Sequence, residues 1–183
     1  MPLRLARRFF PLLLALVGTP LHAEPCAEPL AATAVSGVEQ CLRMRQFGSE
    51  TPETFIVWLH GDVSSGGPAN YHFAIAEKAT AELGADTVRS VALVRPGYPD
   101  GSGSESGVAF GHGGRRDHYT DVNLRELAAA IERLKAHYAP KRTVLVGHSG
   151  GAASAAVLLG MAPGLADSAV LVACPCDLGA WRA

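Results

Sequence analysis

The pentapeptide Gly147-His148-Ser149-Gly150-Gly151 places a serine hydroxyl in a setting that can make it a nucleophile. The apolar run "TVLVG" (143–147) before it reads as a strand, and the run "GGAASAAVLLG" (150–160) after it as a helix of small residues. A serine at such a strand-to-helix corner is held in a strained backbone conformation, with its hydroxyl standing clear of the sheet edge. Side chains two positions to either side would collide there, which accounts for Gly147 and Gly151. Ala152, Ala153, Ala155 and Ala156 let the helix approach the sheet closely, and its N-terminus offers unpaired N–H groups to a developing negative charge. A glycine-rich turn with an incidental serine is the alternative, and the strand before and helix after favour the nucleophile.

Acyl chemistry at a serine also needs oxyanion donors and a base. "WLHGD" (58–62) ends the first strong strand with His60-Gly61, and the residue after such a pair donates its backbone N–H, so Asp62 and Gly150 are the expected donors. His60 is read as bracing this loop by hydrogen bonding in preference to acting as the base. The base is the difficulty, because the last histidine in the chain is His148. His112 and His118, in "FGHGGRRDHYTD", are read as shaping a substrate pocket or capping the next helix, with the base role less favoured. His72 and His137 fall on helices and are expected at the surface. Asp177 is a candidate acid, against a turn-capping role in "CDLGAW". Arg115 and Arg116 can meet a substrate carboxylate or simply carry solvated loop charge.

These residues need a scaffold that aims them at one edge. "TFIVWLHG" (54–61) and "VRSVALV" (88–94) read as buried parallel strands, and "AVLVAC" (169–174) as a further strand. Residues 69–83 form a helix with Ile75, Ala76, Ala79 and Leu83 on its inner face. A second amphipathic helix runs from a Thr120 or Asp121 cap to about Tyr138, with Leu124, Leu127, Ala128, Ile131 and Leu134 inward. The Gly/Ser-rich segment 95–119 between them is too long for a mere connection. Strand and helix alternate, so the class is α/β, a mostly parallel sheet flanked by helices.

Composition narrows the setting. Arg4, Arg7 and Arg8, the apolar Phe9–Val17 and the small residue ending Leu21-His22-Ala23 predict a removable signal peptide over 1–23, and export to the periplasm or beyond. The apolar run is shorter than a membrane span, so no stable membrane anchor is expected. Removing it leaves 13 basic against 17 acidic side chains, a net charge of −4 that disfavours nucleic acid. Cys26 and Cys41 are expected to pair, stapling a short N-terminal segment (24–50) to the body. Cys174 and Cys176 are read as structural, since C-x-C without nearby histidine lacks metal spacing. No cofactor or metal motif is present; "GSGSESG" (101–107) matches no phosphate-binding loop.

With His60-Gly61-Asp62, Arg95-Pro96-Gly97-Tyr98 and Gly147–Gly151 in place, the chain resembles the α/β-hydrolase family over about residues 51–183, and more narrowly exported bacterial hydrolases related to esterases, dienelactone hydrolases and S9-like peptidases. The resemblance implies a small-molecule ester or acyl substrate, ester in preference to peptide, an acyl-enzyme on Ser149 and a pocket near Arg95, Tyr98, His112, Arg115 and His118. It also implies a triad in the order Ser, acid, His. This chain offers Asp167 and Asp177 after Ser149 but no histidine. The expectation is therefore a hydrolase fold truncated after the strand that follows the nucleophile helix, with weak or absent turnover. The alternative is a non-catalytic relative, unstable or kept as a binding module.

Overall fold

The computed structural model describes residues 26–63, 67–107, 119–177 and 179. Its strands are β1 (Leu30–Ala31), β2 (Ala34–Ser36), β3 (Cys41–Gly48), β4 (Thr54–Leu59), β5 (Val88–Leu93), β6 (Tyr98–Pro99), β7 (Glu105–Ser106), β8 (Arg142–His148) and β9 (Ser168–Val172). Its helices are α1 (Tyr71–Leu83), α2 (Asp121–Tyr138) and α3 (Gly150–Met161). Seven strands form one sheet in the order β1-β2-β3-β5-β4-β8-β9, and β6 with β7 makes a small hairpin. The four strands β5, β4, β8 and β9 are parallel, while β1, β2 and β3 extend the sheet antiparallel.

The parallel half matches the apolar runs, because a strand covered on both faces has no solvent side to mark with polar residues. Every residue of β5 is buried. The antiparallel extension was not expected from the sequence, and the stretch before residue 51 forms part of the sheet. In β3, Leu42 and Met44 are buried while Arg45 between the strand's inward positions and its end is exposed, the alternation of a half-buried strand. Cys26 is bonded to Cys41 at the start of β3, with 4.7 Å between Cα atoms. The buried Glu126 of α2 holds the β2–β3 turn, its carboxylate accepting the N–H groups of Val38, Glu39 and Gln40 at 2.7–3.2 Å.

On one face α2 and α3 cover the sheet, with Leu124, Leu127, Ile131 and Leu134 packed against Phe55, Val57, Leu59 and Leu145. Thr120 caps α2, its side chain accepting the Asn123 N–H. The other face receives α1, which rests on β5 and β3. Here the inner face differs from expectation. Ile75 and Leu83 are 51% and 60% exposed, and His72, Ala76 and Thr80 are buried instead. The two polar side chains find local acceptors, His72 Nε2 on the Leu93 carbonyl and Thr80 Oγ1 on the Ala76 carbonyl, so hydropathy alone misplaced the stripe. His72 is thus a core residue, whereas His137 is exposed.

Among the described residues β9, at the far edge of the sheet, is bonded only to β8, and Val170, Leu171 and Val172 are 52%, 40% and 47% exposed. The second disulfide, Cys174 to Cys176, follows directly. Among the described residues no helix is long and apolar enough to cross a membrane. The predicted signal segment 1–23 lies outside the described residues.

Candidate active site

Ser149 stands where β8 ends and α3 begins, with φ 50° and ψ −119°. A positive φ is costly for a residue with a side chain, and such residues persist only where surroundings enforce them. Here the enforcement is visible. The Ser149 N–H donates to the Val172 carbonyl at 2.8 Å, and the Ser149 carbonyl accepts from Ala152 and Ala153 at 2.9 and 3.1 Å. A methyl group on Gly147 would lie 2.5 Å from the Ala152 Cα, and one on Gly151 would lie 2.5 Å from the His60 carbonyl oxygen. The corner therefore tolerates only glycine on either side of the serine.

The loop after β4 lies against this corner. A methyl on Gly61 would come within 3.0 Å of both the Ser149 Cβ and the His148 Nδ1, and one on Gly150 would run into the Tyr119 hydroxyl and the carboxylate of Asp62. Sequence-distant residues 60–62 and 149–150 thus form one site. Among the described residues neither the Asp62 N–H nor the Gly150 N–H has a hydrogen-bond acceptor. For Gly150 this follows from its place in the first turn of α3, where no intrahelical carbonyl is available.

His60 is fully buried and both ring nitrogens are engaged. The Arg95 N–H donates to Nε2 at 2.9 Å, so the proton is on Nδ1 and donates to the Gly61 carbonyl at 2.7 Å. Burial first, then the charge of Arg95 and the proximity of His72, push its pKa well below 6.5. It is a neutral brace for the loop, without a nitrogen to offer Ser149. His148 is exposed, and its Nδ1 is hydrogen-bonded at 2.8 Å to the Tyr71 hydroxyl, which accepts the Gly61 N–H at 2.6 Å. Among the described residues no histidine is hydrogen-bonded to the Ser149 hydroxyl.

Arg95 and Tyr98, expected near a substrate pocket, are instead buried beneath the site at 3% and 2% exposure. Arg95 Nη1 donates to Asp62 Oδ1 at 2.8 Å and to the His60 carbonyl at 3.2 Å. Its guanidinium stacks on the rings of Tyr119 and Tyr98. A buried guanidinium committed in this way cannot serve an incoming carboxylate. Asp62 Oδ2 accepts from the Tyr119 hydroxyl at 2.5 Å. Burial, with Asp62 adding to it against the opposing charge of Arg95, pushes the Tyr119 phenol up to about 12, so it remains a donor. His112, Arg115 and His118 lie outside the described residues. Asp177 is exposed, five residues past the end of β9.

Tyr71 and Tyr119 are the two site residues that the sequence reading missed. Their partners are 10 to 77 residues away, and neither tyrosine sits in a motif with fixed spacing. A cavity of about 270 Å³ opens beside His148 on the α1 side of the sheet, lined by Trp58, Tyr71, Ile75, Val146, His148 and Val172 among others.

The sequence profile described as the Alpha/beta hydrolase family matches residues 56–183. No curated protein sequence matches the chain. Among solved structures, an alpha-beta serine hydrolase homologue from Coxiella burnetii aligns over 82% of this chain and 65% of its own, at 18% identity and a TM-score of 0.55. An esterase from Exiguobacterium antarcticum aligns over 79% of this chain and 46% of its own, at 19% identity and a TM-score of 0.53. An epoxide hydrolase from Vigna radiata aligns over 77% and 38%, at 20% identity and a TM-score of 0.54. The chain thus spans less than two thirds of the length of each of these structures. At such identities the likeness concerns the fold. The profile match over most of the chain, together with the serine corner and the sheet order around it, makes this chain a member of the α/β-hydrolase family.

Proposed function

We propose that Ser149 is the nucleophile of a hydrolase acting on an ester or related acyl bond. The observation that carries this reading is the backbone of Ser149, a non-glycine residue held at φ 50° between strand and helix, with glycines forced on both sides. That geometry is costly to stability and serves to present a hydroxyl. Ser149 Oγ attacks the carbonyl carbon and its proton passes to a base. The N–H groups of Asp62 and Gly150 receive the oxyanion, the alcohol leaves with the proton, and water then cleaves the acyl-enzyme.

None of the described histidines is hydrogen-bonded to Ser149, so the base is read as a histidine outside the described residues: His112 or His118, or one carried by a longer form of the protein. With the latter, this chain turns over weakly, the donors alone leaving ~10³-fold over water. The two disulfides support a site of action in an oxidising, extracytoplasmic compartment.

The test is covalent labelling of the folded 24–183 chain by a fluorophosphonate, with Ser149→Ala as control. Labelling of the wild type alone supports an activated Ser149 and directs mutation to His112 and His118. Absence of labelling, both in this chain and in a longer form carrying a downstream histidine, refutes the nucleophile. A second reading, a relative that works by association, is favoured by the apolar edge strand β9. A monomer at all concentrations in sedimentation would dispose of it.

A further inference from the structure

A donor loop that contributes only a backbone N–H would do best with a neutral side chain, yet position 62 carries a carboxylate. That carboxylate does not point away from the site, since a methyl group on Gly150 would lie 2.8 Å from the Asp62 Cγ. The second donor and the acid therefore occupy the same few ångströms. An oxyanion forming on the Asp62 and Gly150 N–H groups would meet a like charge in a partly desolvated corner, where such repulsion is far stronger than in water.

We propose that Arg95 is the counter-charge that makes an acidic residue compatible with anion binding at this corner. The inference rests on reading Asp62 and Gly150 as the oxyanion donors. Arg95 meets Asp62 from below at 2.8 Å, with its side chain 4% exposed against 25% for Asp62, so the pair is buried on the cationic side and open on the anionic side. Among the described residues, the other hydrogen-bond partners of the Asp62 carboxylate carry no net charge. His60 is neutral, and Tyr119 and Tyr98 face Asp62 as hydroxyl groups at 2.5 and 3.4 Å. Arg95 is also tied to the donor loop itself, through its N–H on His60 Nε2 and its Nη1 on the His60 carbonyl, so charge and loop position have one anchor. With Arg95 in place, the charge of Asp62 is balanced among the described residues before the oxyanion forms. Without it, the developing charge meets a bare carboxylate.

A purely structural salt bridge makes a different prediction, and a double variant separates the two. Arg95→Met should slow fluorophosphonate labelling of Ser149 by about a hundredfold, the effect of losing one oxyanion donor. Adding Asp62→Asn to that variant should restore labelling to within about tenfold of the wild type, because the uncompensated charge is gone. Arg95→Lys, which keeps the charge, should fall between. If the double variant, shown folded by its melting transition, labels as slowly as Arg95→Met, or if Arg95→Met labels like the wild type, the counter-charge role is wrong.

The same variants are to be titrated with dimethyl phosphinate, a tetrahedral monoanion, following the amide proton shifts of Asp62 and Gly150. Binding should weaken at least tenfold in Arg95→Met and recover in the double variant. This readout needs no activated serine. A wild type that binds the anion but does not label means that Ser149 is not activated in this chain, and Arg95 is then tested by binding alone. A wild type whose two amides do not respond overturns the proposal, whatever the labelling shows.

Discussion

Acidifying the protein from pH 7 to pH 5 puts two buried imidazoles under stress at once. His60 and His72 are 0% and 3% exposed, with ring centroids 5.2 Å apart. Burial, partly offset by the hydrogen bond to Leu93, lowers the His72 pKa from 6.5 to about 4, and burial with Arg95 lowers that of His60 well below 6.5. Both folded-state values are depressed, so the unfolded chain binds more protons once pH falls below 6.5. The stability these groups contribute is present above 6.5 and is lost as pH falls toward their folded values. Because the folded His72 titrates near 4, its loss by pH 5 is set almost wholly by the unfolded value, about 2 kcal/mol, and His60 acts in the same direction. His72 alone thus removes about 2 kcal/mol from a domain whose whole stability is ~5–15 kcal/mol, and His60 adds to the loss.

Asp100 does not blur this window. Its pKa is lowered from 3.8 by Ser102 and Arg43 against the cost of burial, so its contribution is lost only below that value. The assay is urea unfolding at pH 7, 6 and 5. With a slope of ~2 kcal/mol per molar, the midpoint should fall by at least about 1 M across the range. His72→Gln should show a fall smaller than the wild type's by about 1 M, whatever its starting stability. A midpoint that moves by less than ~0.5 M, or rises on acidification, would refute the burial argument for both histidines.

Three further outcomes follow from the site and its frame. Ser149→Gly should raise the melting temperature, since it relieves a positive φ worth ~1–3 kcal/mol, while abolishing fluorophosphonate labelling. Gly151→Ala should lower stability by about 3 kcal/mol or prevent folding, because the added methyl meets the backbone of β4 and its loop, a clash no rotamer relieves; thermal melts and soluble yield report it. Glu126→Ala leaves the N–H groups of Val38, Glu39 and Gln40 without their acceptor and should cost about 3 kcal/mol in urea unfolding, with the β2–β3 turn exchanging its amide protons fastest.

The serine corner was legible because strand, turn and helix each leave a local mark. An apolar run, a glycine pair and a row of alanines are contiguous, and only a narrow set of backbones accepts them in that order. The helix capped at Thr120 and the parallel strands were legible for the same reason. The α1 stripe was misread because His72 and Thr80 bury polar atoms on carbonyls of their surroundings, which hydropathy does not register. The β1-β2-β3 extension was overlooked because its inward residues alternate with arginines and polar residues.

By itself, the sequence determined the α/β alternation, the serine corner between strand and helix and the loop that would face it, because each depends on residues close together in the chain. Only the tertiary structure decided that Arg95 lies beneath Asp62 and not in a pocket, that Tyr71 and Tyr119 complete the site, and that His60 has no nitrogen left for Ser149. Those facts concern where charge and hydrogen-bond capacity are spent. They depend on contacts across 10 to 77 residues of sequence, made once the sheet has folded and brought its strand ends to a common edge.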